Sequence, residues 1–523
     1  MKRNAVKVFL MVLLAAFCFT SMTLATSFAE EAKTSLVAFV GTGMCAGNYD
    51  PCTGWGMYGY NIFHSALYRL DKDQSPIPDV AVSYEVSEDG MTYTYHLRDD
   101  VRFADGEPLT ASDVVFTYLT AKESGSSVDL TVLESAEAPD DTTVVFKLSK
   151  PYSVFFQYGT QLGIVPEHAY GDNYAETGLG SGPFKVIQLD IDQQVIVERN
   201  EYYHGTPSQF DRITFLNLDP ETALSMAQSG QLDMAYVDPE YSEVEIPGMH
   251  MVELSSVDKY GFNMPMVPSG GETTDGNPVG NDVTSDFAVR KALNIGIDRE
   301  TIIRNALNGH GVPAYARVTG LPWCIENPEF EDNQKEEACR ILEDAGWIDT
   351  DGDGIREKDG VKAEFSLMCF SNAADRYKLA VALSEDAKEL GIQVNAESQS
   401  RDVTSAMRLA QPLMGASGSY TPAELTRYES GASGNLSSYS NPVVDDYIDQ
   451  ALAAKTYQDA NEFWHKMQSD GVTGINEDIT DIWIIRMPAN FYIADGLDIG
   501  DSFCFASHHG MPLSDVEMWT YAS

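Results

Sequence analysis

A mixed α/β protein of two or three lobes is expected from this sequence, for three reasons. Several short runs alternate apolar and polar residues, as strands with one buried face do: 92–97, 143–148, 195–198 and 213–218. Stretches of helical period lie between such runs, as in residues 110–122. The chain has 523 residues, which is too many for one hydrophobic core. The apolar side chains must therefore be shared among several lobes.

Two helices and one connector can be placed by their local residues. Thr110 precedes the first helix, and Asp113 lies near its positive end three residues later. The second helix spans residues 287–297, with its apolar side chains on one face. Residues 268–280 are rich in Gly, Pro, Asn and Thr, which predicts a connector between lobes.

The amino terminus has the pattern of a secretory signal peptide. Three basic residues precede an apolar stretch at 8–19, and small residues follow up to Ala29. This stretch is shorter than the roughly 20 residues that a membrane-spanning helix needs. We therefore expect export, with cleavage after Ala29. Cys18 follows Phe17 inside the apolar stretch, which does not favour a lipid anchor.

The strong negative charge limits the classes of partner. The formal net charge at pH 7 is −45. Such a chain repels phosphate backbones and anionic lipid headgroups, so neither nucleic acid nor a basic membrane-binding patch is expected. An acidic surface also keeps an exported protein soluble, and cationic ligands would suit it.

Six cysteines follow the predicted signal peptide: Cys45, Cys52, Cys324, Cys339, Cys369 and Cys504. An oxidising compartment permits disulfides, and Cys45 and Cys52 are near enough in sequence for a small bridge. The pairing stays open. No Cys-x-x-Cys spacing is present, so a zinc or iron–sulfur site is not indicated.

Catalytic and metal-binding patterns are not found in the sequence. No Gly-x-Ser-x-Gly nucleophile elbow and no His-Glu-x-x-His run occurs. Residues 349–360 begin like a calcium loop, but Gly360 stands where an EF-hand has a bidentate Glu, so we expect a solvated hairpin turn. The adjacent His508 and His509 would point to opposite faces of a strand. We predict no catalytic residue, no metal ligand and no cofactor.

Five segments, taken in order, resemble the family 5 extracellular solute-binding proteins, which are receptors for oligopeptides, dipeptides and nickel chelates. They are distributed along nearly the whole chain after residue 29. The first, 77–122, contains a Ser-x-Asp-Gly turn followed by Leu-Arg-Asp and Phe-x-Asp-Gly, and the second, 180–205, contains Gly-x-Gly-Pro-Phe. The others are 230–233, 289–302 and 437–446. Gly90, Gly106 and Gly182 stand where turns need positive φ or close backbone approach, and Asp298 can cap a helix.

The resemblance implies a bilobal periplasmic-binding-protein fold, type II, cluster C, with an extra inserted N-terminal domain. The expected divisions are 1–29 signal peptide, 30–71 first part of lobe I, 72–182 inserted domain II, 183–283 second part of lobe I, 284–489 lobe III and 490–523 C-terminal part of lobe I. It also implies a monomer in the periplasm, or on the outer face of the cytoplasmic membrane. There it would deliver a small solute to the permease subunits of an ABC importer.

The family also suggests where the ligand contacts lie. Two sets of residues are candidates: Met44, Tyr49, Trp55 and Tyr58 in the first loop, and Trp323, Arg376, Met414, Ser419 and Tyr420 further on. Peptide-binding relatives hold the ligand's α-ammonium group with an Asp in an Asp-Tyr-x-Asp-Pro loop. Here the corresponding residues are Gly-Ser-Tyr-Thr-Pro at 418–422, which lack that carboxylate.

Several functions are compatible with the sequence. Capture of an oligopeptide or dipeptide comes first, and a nickel or other metal-chelate receptor of the same fold is the alternative, with Trp323, Arg376, Met414 and Tyr420 as its pocket. An exported peptide hydrolase would need a nucleophile or metal constellation that the sequence does not display. A receptor that signals to a membrane sensor is a further alternative.

Overall fold

The computed structural model describes residues 33–522 except 42, 57–61, 74, 125–128, 255, 319, 326–330, 419–420, 501 and 503–510. The first strands are β1 (Ser35–Phe39), β2 (Tyr68–Leu70), β3 (Pro76–Pro78), β4 (Ala81–Val86), β5 (Thr92–Leu97), β6 (Leu133–Asp140), β7 (Thr143–Leu148), β8 (Phe184–Asp190), β9 (Gln194–Arg199), β10 (Arg212–Leu216), β11 (Met234–Val237), β12 (Met249–Leu254) and β13 (Lys259–Asn263). They are followed by β14 (Gly271–Glu272), β15 (Pro278–Val279), β16 (Val312–Pro313), β17 (Glu357–Lys358), β18 (Val361–Lys362), β19 (Glu364–Phe370), β20 (Gln393–Gln399), β21 (Met414–Ser417), β22 (Asp481–Arg486), β23 (Ala489–Ala494), β24 (Leu497–Asp498) and β25 (Thr520–Tyr521).

The α-helices of the described chain are α1 (Ala111–Ser124), α2 (Phe155–Gln161), α3 (Tyr174–Thr177), α4 (Pro220–Gln228), α5 (Phe287–Gly296), α6 (Arg299–Leu307), α7 (Lys335–Asp344), α8 (Ala374–Ala387), α9 (Arg401–Met407), α10 (Pro442–Ala453) and α11 (Tyr457–Gln468). Short 3-10 helices add Pro51–Thr53, Glu167–Ala169, Pro239–Tyr241, Lys388–Leu390, Pro422–Tyr428 and Val516–Met518. The predicted mixed α/β architecture is confirmed. Two predicted strands, β5 and β7, have the predicted bounds, and α1 and α5 lie where helical periods were found.

The large sheet has seven strands in the order β12-β23-β11-β1-β10-β9-β8. Its centre is parallel, since β1 pairs with both β10 and β11 in that sense. Leu36 and Ala38 of β1 belong to one hydrophobic core and Phe39 to another, so both faces of the sheet are covered. A central strand buried on both sides explains why the run 35–39 is apolar throughout after Ser35.

The early sheet has the order β4-β5-β7-β6 and is covered by α1 and α2. Its core also includes Val444 of α10 and Trp464 of α11, which come from far along the chain. Ser153 strengthens this contact, because its Oγ donates to the carbonyl of Ala451 at 2.8 Å. The early sheet and the pair α10–α11 therefore form one packed unit. The predicted domain boundaries stay a prediction.

The late sheet has the order β16-β22-β13-β21, and β19 continues it through a parallel bridge between Met368 and Leu413. Helices α5 to α8 supply its apolar partners. Lys259, at the start of β13, pairs with Ser417 at the end of β21. Because β19 runs parallel to β21, the ends of both strands and the start of β13 lie at one edge of the sheet.

Two chain crossings connect the large and late sheets, one between β12 and β13 and one between β22 and β23. The Oγ of Ser256 in the first crossing donates to the carbonyl of Met487 in the second, at 2.6 Å. A pair of adjacent crossings is the arrangement that permits hinge motion.

Turns and caps follow the sequence closely. Gly106 has φ +93°, and an added Cβ at Gly182 would lie 2.5 Å from a backbone carbon of Phe63, so both glycines are needed as predicted. The carboxylate of Asp298 accepts from the backbone N–H of Thr301 at 2.9 Å, which caps α6.

The two predicted loops contain short hairpins. Strands β14 and β15 lie inside 268–280, and β17 and β18 meet at the end of 349–360. Lys362 contacts the carboxylates of Asp351 and Asp353, so this exposed acidic turn already has a cation beside it.

Of the six cysteines, Cys504 lies outside the described residues, and the other five are free thiols. The Sγ atoms of Cys45 and Cys52 face different carbonyls, those of Phe215 and Thr117. A bridge between Cys45 and Cys52 is not formed. The predicted signal peptide and the pair His508–His509 lie outside the described residues.

Candidate functional site

Two cavities open at the edge of the late sheet where β13 begins. Successive side chains of a strand point to opposite faces. Lys259 therefore turns towards Arg317 and Glu424, whose charges act on it, whereas Tyr260 turns towards Arg376. Every residue of β13 is buried, including Lys259 at its start. A fully buried lysine is rare in proteins, so this edge of the sheet is unusual.

The large cavity has a volume of about 920 Å³. One wall is the 3-10 helix Pro239–Tyr241 that follows β11 of the large sheet, and the other is formed by the ends of α6 and β19 with the start of α8. It therefore lies between the large and late sheets, next to the two chain crossings. Its charged and aromatic lining residues are Asp238, Glu240, Tyr260, Phe370, Asp375, Arg376, Lys378 and Arg401.

Charges of both signs are arranged around aromatic rings in the large cavity. The guanidinium of Arg376 lies 4.8 Å from the ring centroid of Tyr260, and that of Arg401 lies 5.1 Å from the ring of Phe370. Burial, with the negative charges of Asp375 and Glu240, raises the pKa of Asp238. A carboxylate in this setting gains from a cationic ligand group.

The small cavity has a volume of about 430 Å³ and lies beside the end of β21 and the 3-10 helix Pro422–Tyr428. Its polar lining residues are Asp129, Tyr152, Tyr158, Arg317, Ser417, Glu424, Thr426 and Arg427. Gly418 also lines it, and the predicted site residues Ser419 and Tyr420 come directly after Gly418 but lie outside the described residues.

A buried network supports this wall of the small cavity. Arg317, with 7% of its side chain exposed, donates from Nε to Oε2 of Glu424 at 3.3 Å and from Nη1 to the hydroxyl of Tyr428 at 3.2 Å. The hydroxyl of Tyr428 in turn donates to Asp481. Burial opposes the charge of Arg317, but Tyr428, Glu424 and Asp481 together raise its pKa. Arg317 is therefore a permanent cation.

Lys259 adds a second buried amine to the same region. Its Nζ donates to the carbonyl of Val257 at 2.8 Å. Burial lowers the pKa of Lys259 to about 8, while Glu424 and Asp258 act against that shift. At neutral pH the amine remains charged, though less firmly than an exposed lysine.

The first-loop candidates Met44, Tyr49 and Trp55 are brought together, but as part of a core. Tyr49 is 0% exposed, and its hydroxyl donates to the carbonyl of Met44 at 2.7 Å. Its ring packs edge-on against Trp55 with centroids 4.9 Å apart. Tyr58, the fourth member of that set, lies outside the described residues.

The remaining candidates lie apart from one another. Trp323 is buried in the core of the early sheet, and Met414 is buried in the core of the late sheet. Arg376 lines the large cavity. The structure does not bring these three together, and their roles in ligand contact stay predictions.

Sequence reasoning missed Asp238, Tyr260, Arg317, Glu424 and Arg427. Glu424 and Arg427 are three residues apart in a 3-10 helix, and their neighbours at the cavity come from distant parts of the chain. The available signal was the pair Asp258–Lys259, two charges that open an apolar strand.

Comparison with known proteins supplies a family. The model of the bacterial extracellular solute-binding proteins, family 5, matches residues 75–450. Protein XP55 of Streptomyces lividans is 30% identical over 446 residues, 80% of this chain and 78% of that protein. The oligopeptide-binding protein AppA of Bacillus subtilis is 30% identical over 361 residues, 64% of each chain.

The fold also matches solved structures. NikZ from Campylobacter jejuni in complex with Ni(L-His) superposes with a TM-score of 0.72, covering 93% of this chain and 99% of that one at 22% identity. Among the described residues, no helix has both the length and the apolar character needed to cross a membrane.

Proposed function

The chain belongs to family 5 of the bacterial extracellular solute-binding proteins, and from that membership we propose that it is the peptide receptor of an ABC importer. It captures a short peptide at the edge of the late sheet and delivers it to permease subunits in the membrane. The proposal includes export, action outside the cytoplasmic membrane as a monomer, and no catalysis of its own.

The observation that carries the peptide assignment is the lining of the large cavity. A volume of about 920 Å³ falls at the upper end of the range for small-ligand pockets. The lining combines carboxylates at Asp238 and Glu240 with the guanidinium groups of Arg376 and Arg401, each of which lies over an aromatic ring. A short peptide presents an ammonium group, a carboxylate and apolar side chains, which such a lining complements. The relative AppA, by its name, binds oligopeptides.

Hinge motion connects capture to delivery in this proposal. The large cavity lies between the large and late sheets, and only two crossings near it join these sheets within the described chain. Lys378, at the start of α8, lies 3.6 Å from Glu240 on the opposite wall. A solute held by both walls stabilises their approach, and the closed form is what a permease would recognise.

A thermal-shift screen of residues 30–523 tests the proposal. Short peptides should raise Tm, since ligand at ~100 times Kd stabilises by ~2.7 kcal/mol. Sugars, free amino acids and nickel–histidine are the comparison set. Arg376→Gln should reduce the shift. Arg98→Gln should not, because Arg98 is partly exposed and pairs with Asp100 away from the cavity. A shift with nickel–histidine alone would replace the peptide assignment by the metal-chelate one. Turnover of the peptides would contradict the absence of catalysis.

A further inference from the structure

A histidine on the late-sheet side of the molecule contacts two residues on the large-sheet side. His310 lies between α6 and β16, whereas Ser242 and Glu253 belong to the segment that runs from β11 to β12. Nε2 of His310 lies 2.7 Å from Oγ of Ser242, and its Nδ1 lies 3.6 Å from Oε2 of Glu253. One imidazole ring therefore joins the two walls, beside the large cavity that Pro239 and Asn308 line.

The loop that carries His310 is packed firmly on the late-sheet side. Asn308, Gly309 and Gly311 have φ values of +55°, +88° and +108°. A Cβ added to Gly311 would lie 2.6 Å from the side chain of Ile485 in β22, so the loop backbone approaches the late sheet closely. The imidazole is therefore held by one side of the molecule, and its contacts with the other side change when the two sheets move apart.

The hydroxyl hydrogen of Ser242 decides which ring nitrogen carries a hydrogen. Oγ of Ser242 lies 2.5 Å from the carbonyl oxygen of Pro239, which can only accept. The single hydroxyl hydrogen is used in that bond, so Nε2 of His310 donates to Oγ. For the same reason Ser242, His310 and Glu253 are not arranged as a catalytic triad, in which the imidazole accepts the proton of the serine.

The other ring nitrogen meets a carboxylate. With its hydrogen on Nε2, a neutral imidazole presents a bare Nδ1 to Oε2 of Glu253, so that two acceptors face each other across 3.6 Å. A second proton, on Nδ1, turns this contact into an ion pair. Imidazoles gain and lose such a proton between about pH 5 and 8. The contact between His310 and Glu253 therefore strengthens as pH falls through that range.

We propose that Ser242, His310 and Glu253 form a proton-dependent latch that holds the walls of the large cavity together. The closed arrangement binds the proton more strongly than the open one, so the closed population rises as pH falls. A receptor with this latch retains its solute more tightly at mildly acidic pH and releases it more readily at alkaline pH. The inference rests on the hinge motion of the proposed function, but not on the nature of the solute.

The elements around His310 carry further charged groups. They are Asp238, Glu240 and Glu243 in the segment before β12, Arg304 in α6, Asp375 and Lys378 at the start of α8, and Arg486 in β22. Burial, with the negative charges of Asp375 and Glu240, raises the pKa of Asp238, so loss of this charge at low pH also eases the approach of the walls. These groups remain in a variant of His310, which separates their contribution from that of the latch.

The distance between two spin labels measures the latch without any solute. The labels are noncanonical amino acids at the exposed Gln228 of α4 and Val381 of α8, on helices of the two sheets, in residues 30–523. Pulsed dipolar spectroscopy gives the populations of short and long distances at about pH 5.5 and about pH 8. We expect the ratio of closed to open form to be about fivefold larger at the lower pH, as for a partly exposed ion pair.

Two variants and one control assign this change to the latch. His310→Gln should remove most of the change. Glu253→Gln should do the same, because its amide N–H donates to the neutral Nδ1 and the contact no longer needs a proton. His250→Gln is the matched control: His250 lies in the same strand as Glu253 and pairs with Asp495, which is also on the large-sheet side. This control should keep the whole change.

The outcomes separate the latch from the proposed function. A response to pH that survives both His310→Gln and Glu253→Gln overturns the latch, and so does an unchanged chain whose ratio is the same at both pH values. If His310→Gln does not fold, Glu253→Gln decides alone. A peptide that raises Tm should bind about fivefold more tightly at the lower pH, because affinity follows the closed population. If no peptide binds while the distances respond to pH, the proposed function fails and the latch stands.

Discussion

Two arginines on the late-sheet side of the molecule, the buried Arg299 and the partly buried Arg427, differ in how they are satisfied. Arg299 is 0% exposed, and its guanidinium donates to the carbonyls of Ala314, Trp483 and Asn294 and to the carboxylate of Asp332. Nε of Arg427 has no such acceptor in the described chain. A saturated cation serves the fold, whereas an unsaturated one beside a cavity is available to a ligand.

The largest expected effect is on the free energy of unfolding, and it distinguishes an arginine that serves the fold from one that is available to a ligand. Arg299→Gln removes the guanidinium that donates to Oδ1 of Asp332 and to three carbonyls, and we expect a loss of about 3–5 kcal/mol in the free energy of unfolding. Arg427→Gln should change it by less than about 1 kcal/mol, because no hydrogen bond of Nε is lost and repulsion from Arg317 is relieved. Urea unfolding of both variants measures the difference. Equal losses would contradict the distinction.

Glu517 extends the comparison to a buried carboxyl group. It is 7% exposed, and burial raises its pKa to about 7, with Asp515 adding to the shift and Arg69 opposing it. The folded chain therefore holds a proton that the unfolded chain releases at a lower pH. The protonated Glu517 therefore adds to the free energy of unfolding at low pH, and this contribution is lost as pH rises through about 7.

The free energy of unfolding should fall by roughly 3 kcal/mol between low pH and pH 8 because of this group alone. Glu517→Gln should flatten that part of the profile, which chemical denaturation at a series of pH values would record. An unchanged slope in the variant would show that Glu517 is not the group responsible.

A smaller effect tests the first-loop prediction. Tyr49→Phe removes the hydroxyl that donates to the carbonyl of Met44, which should cost about 1–2 kcal/mol in unfolding free energy. If Tyr49 serves only the core, peptide affinity measured by calorimetry should stay within about twofold. A tenfold weaker affinity in a folded variant would make Tyr49 part of the ligand site after all.

The smallest effect is expected at the exposed pair Lys378–Glu240. The two side chains are 45% and 53% exposed, so Glu240→Gln should alter the free energy of unfolding by at most about 0.5 kcal/mol. Urea unfolding at low and high salt measures this. A larger, salt-dependent loss would mean that the pair holds the walls of the large cavity together more strongly than a surface pair can.

The fold could be predicted from the sequence because its signals are local. Alternation in β5 and β7, the bond from the backbone N–H of Thr110 to the carboxylate of Asp113, and the cap at Asp298 each depend on a few adjacent residues. The ordered family segments predict the family, which the match over residues 75–450 confirms, and the division into lobes that they imply stays a prediction.

The site could be predicted only in part, because its contacts join distant segments. Arg317 and Glu424 are 107 positions apart, and nothing near either residue indicates their pairing. Aromatic residues in a predicted loop look the same whether they line a pocket or a core. The sequence therefore indicates Tyr49 and Trp55 as ligand contacts, although both are packed in a core. Arg376 lines the large cavity, and its role in binding stays a prediction.

The most direct test of the account is a crystal structure of residues 30–523 grown with a tripeptide that raises Tm. We predict that the peptide lies at the edge of the late sheet where β13 begins, in the large cavity beside Tyr260 and Arg376. A peptide bound elsewhere, or contacts confined to the first-loop residues with neither cavity occupied, would contradict the account.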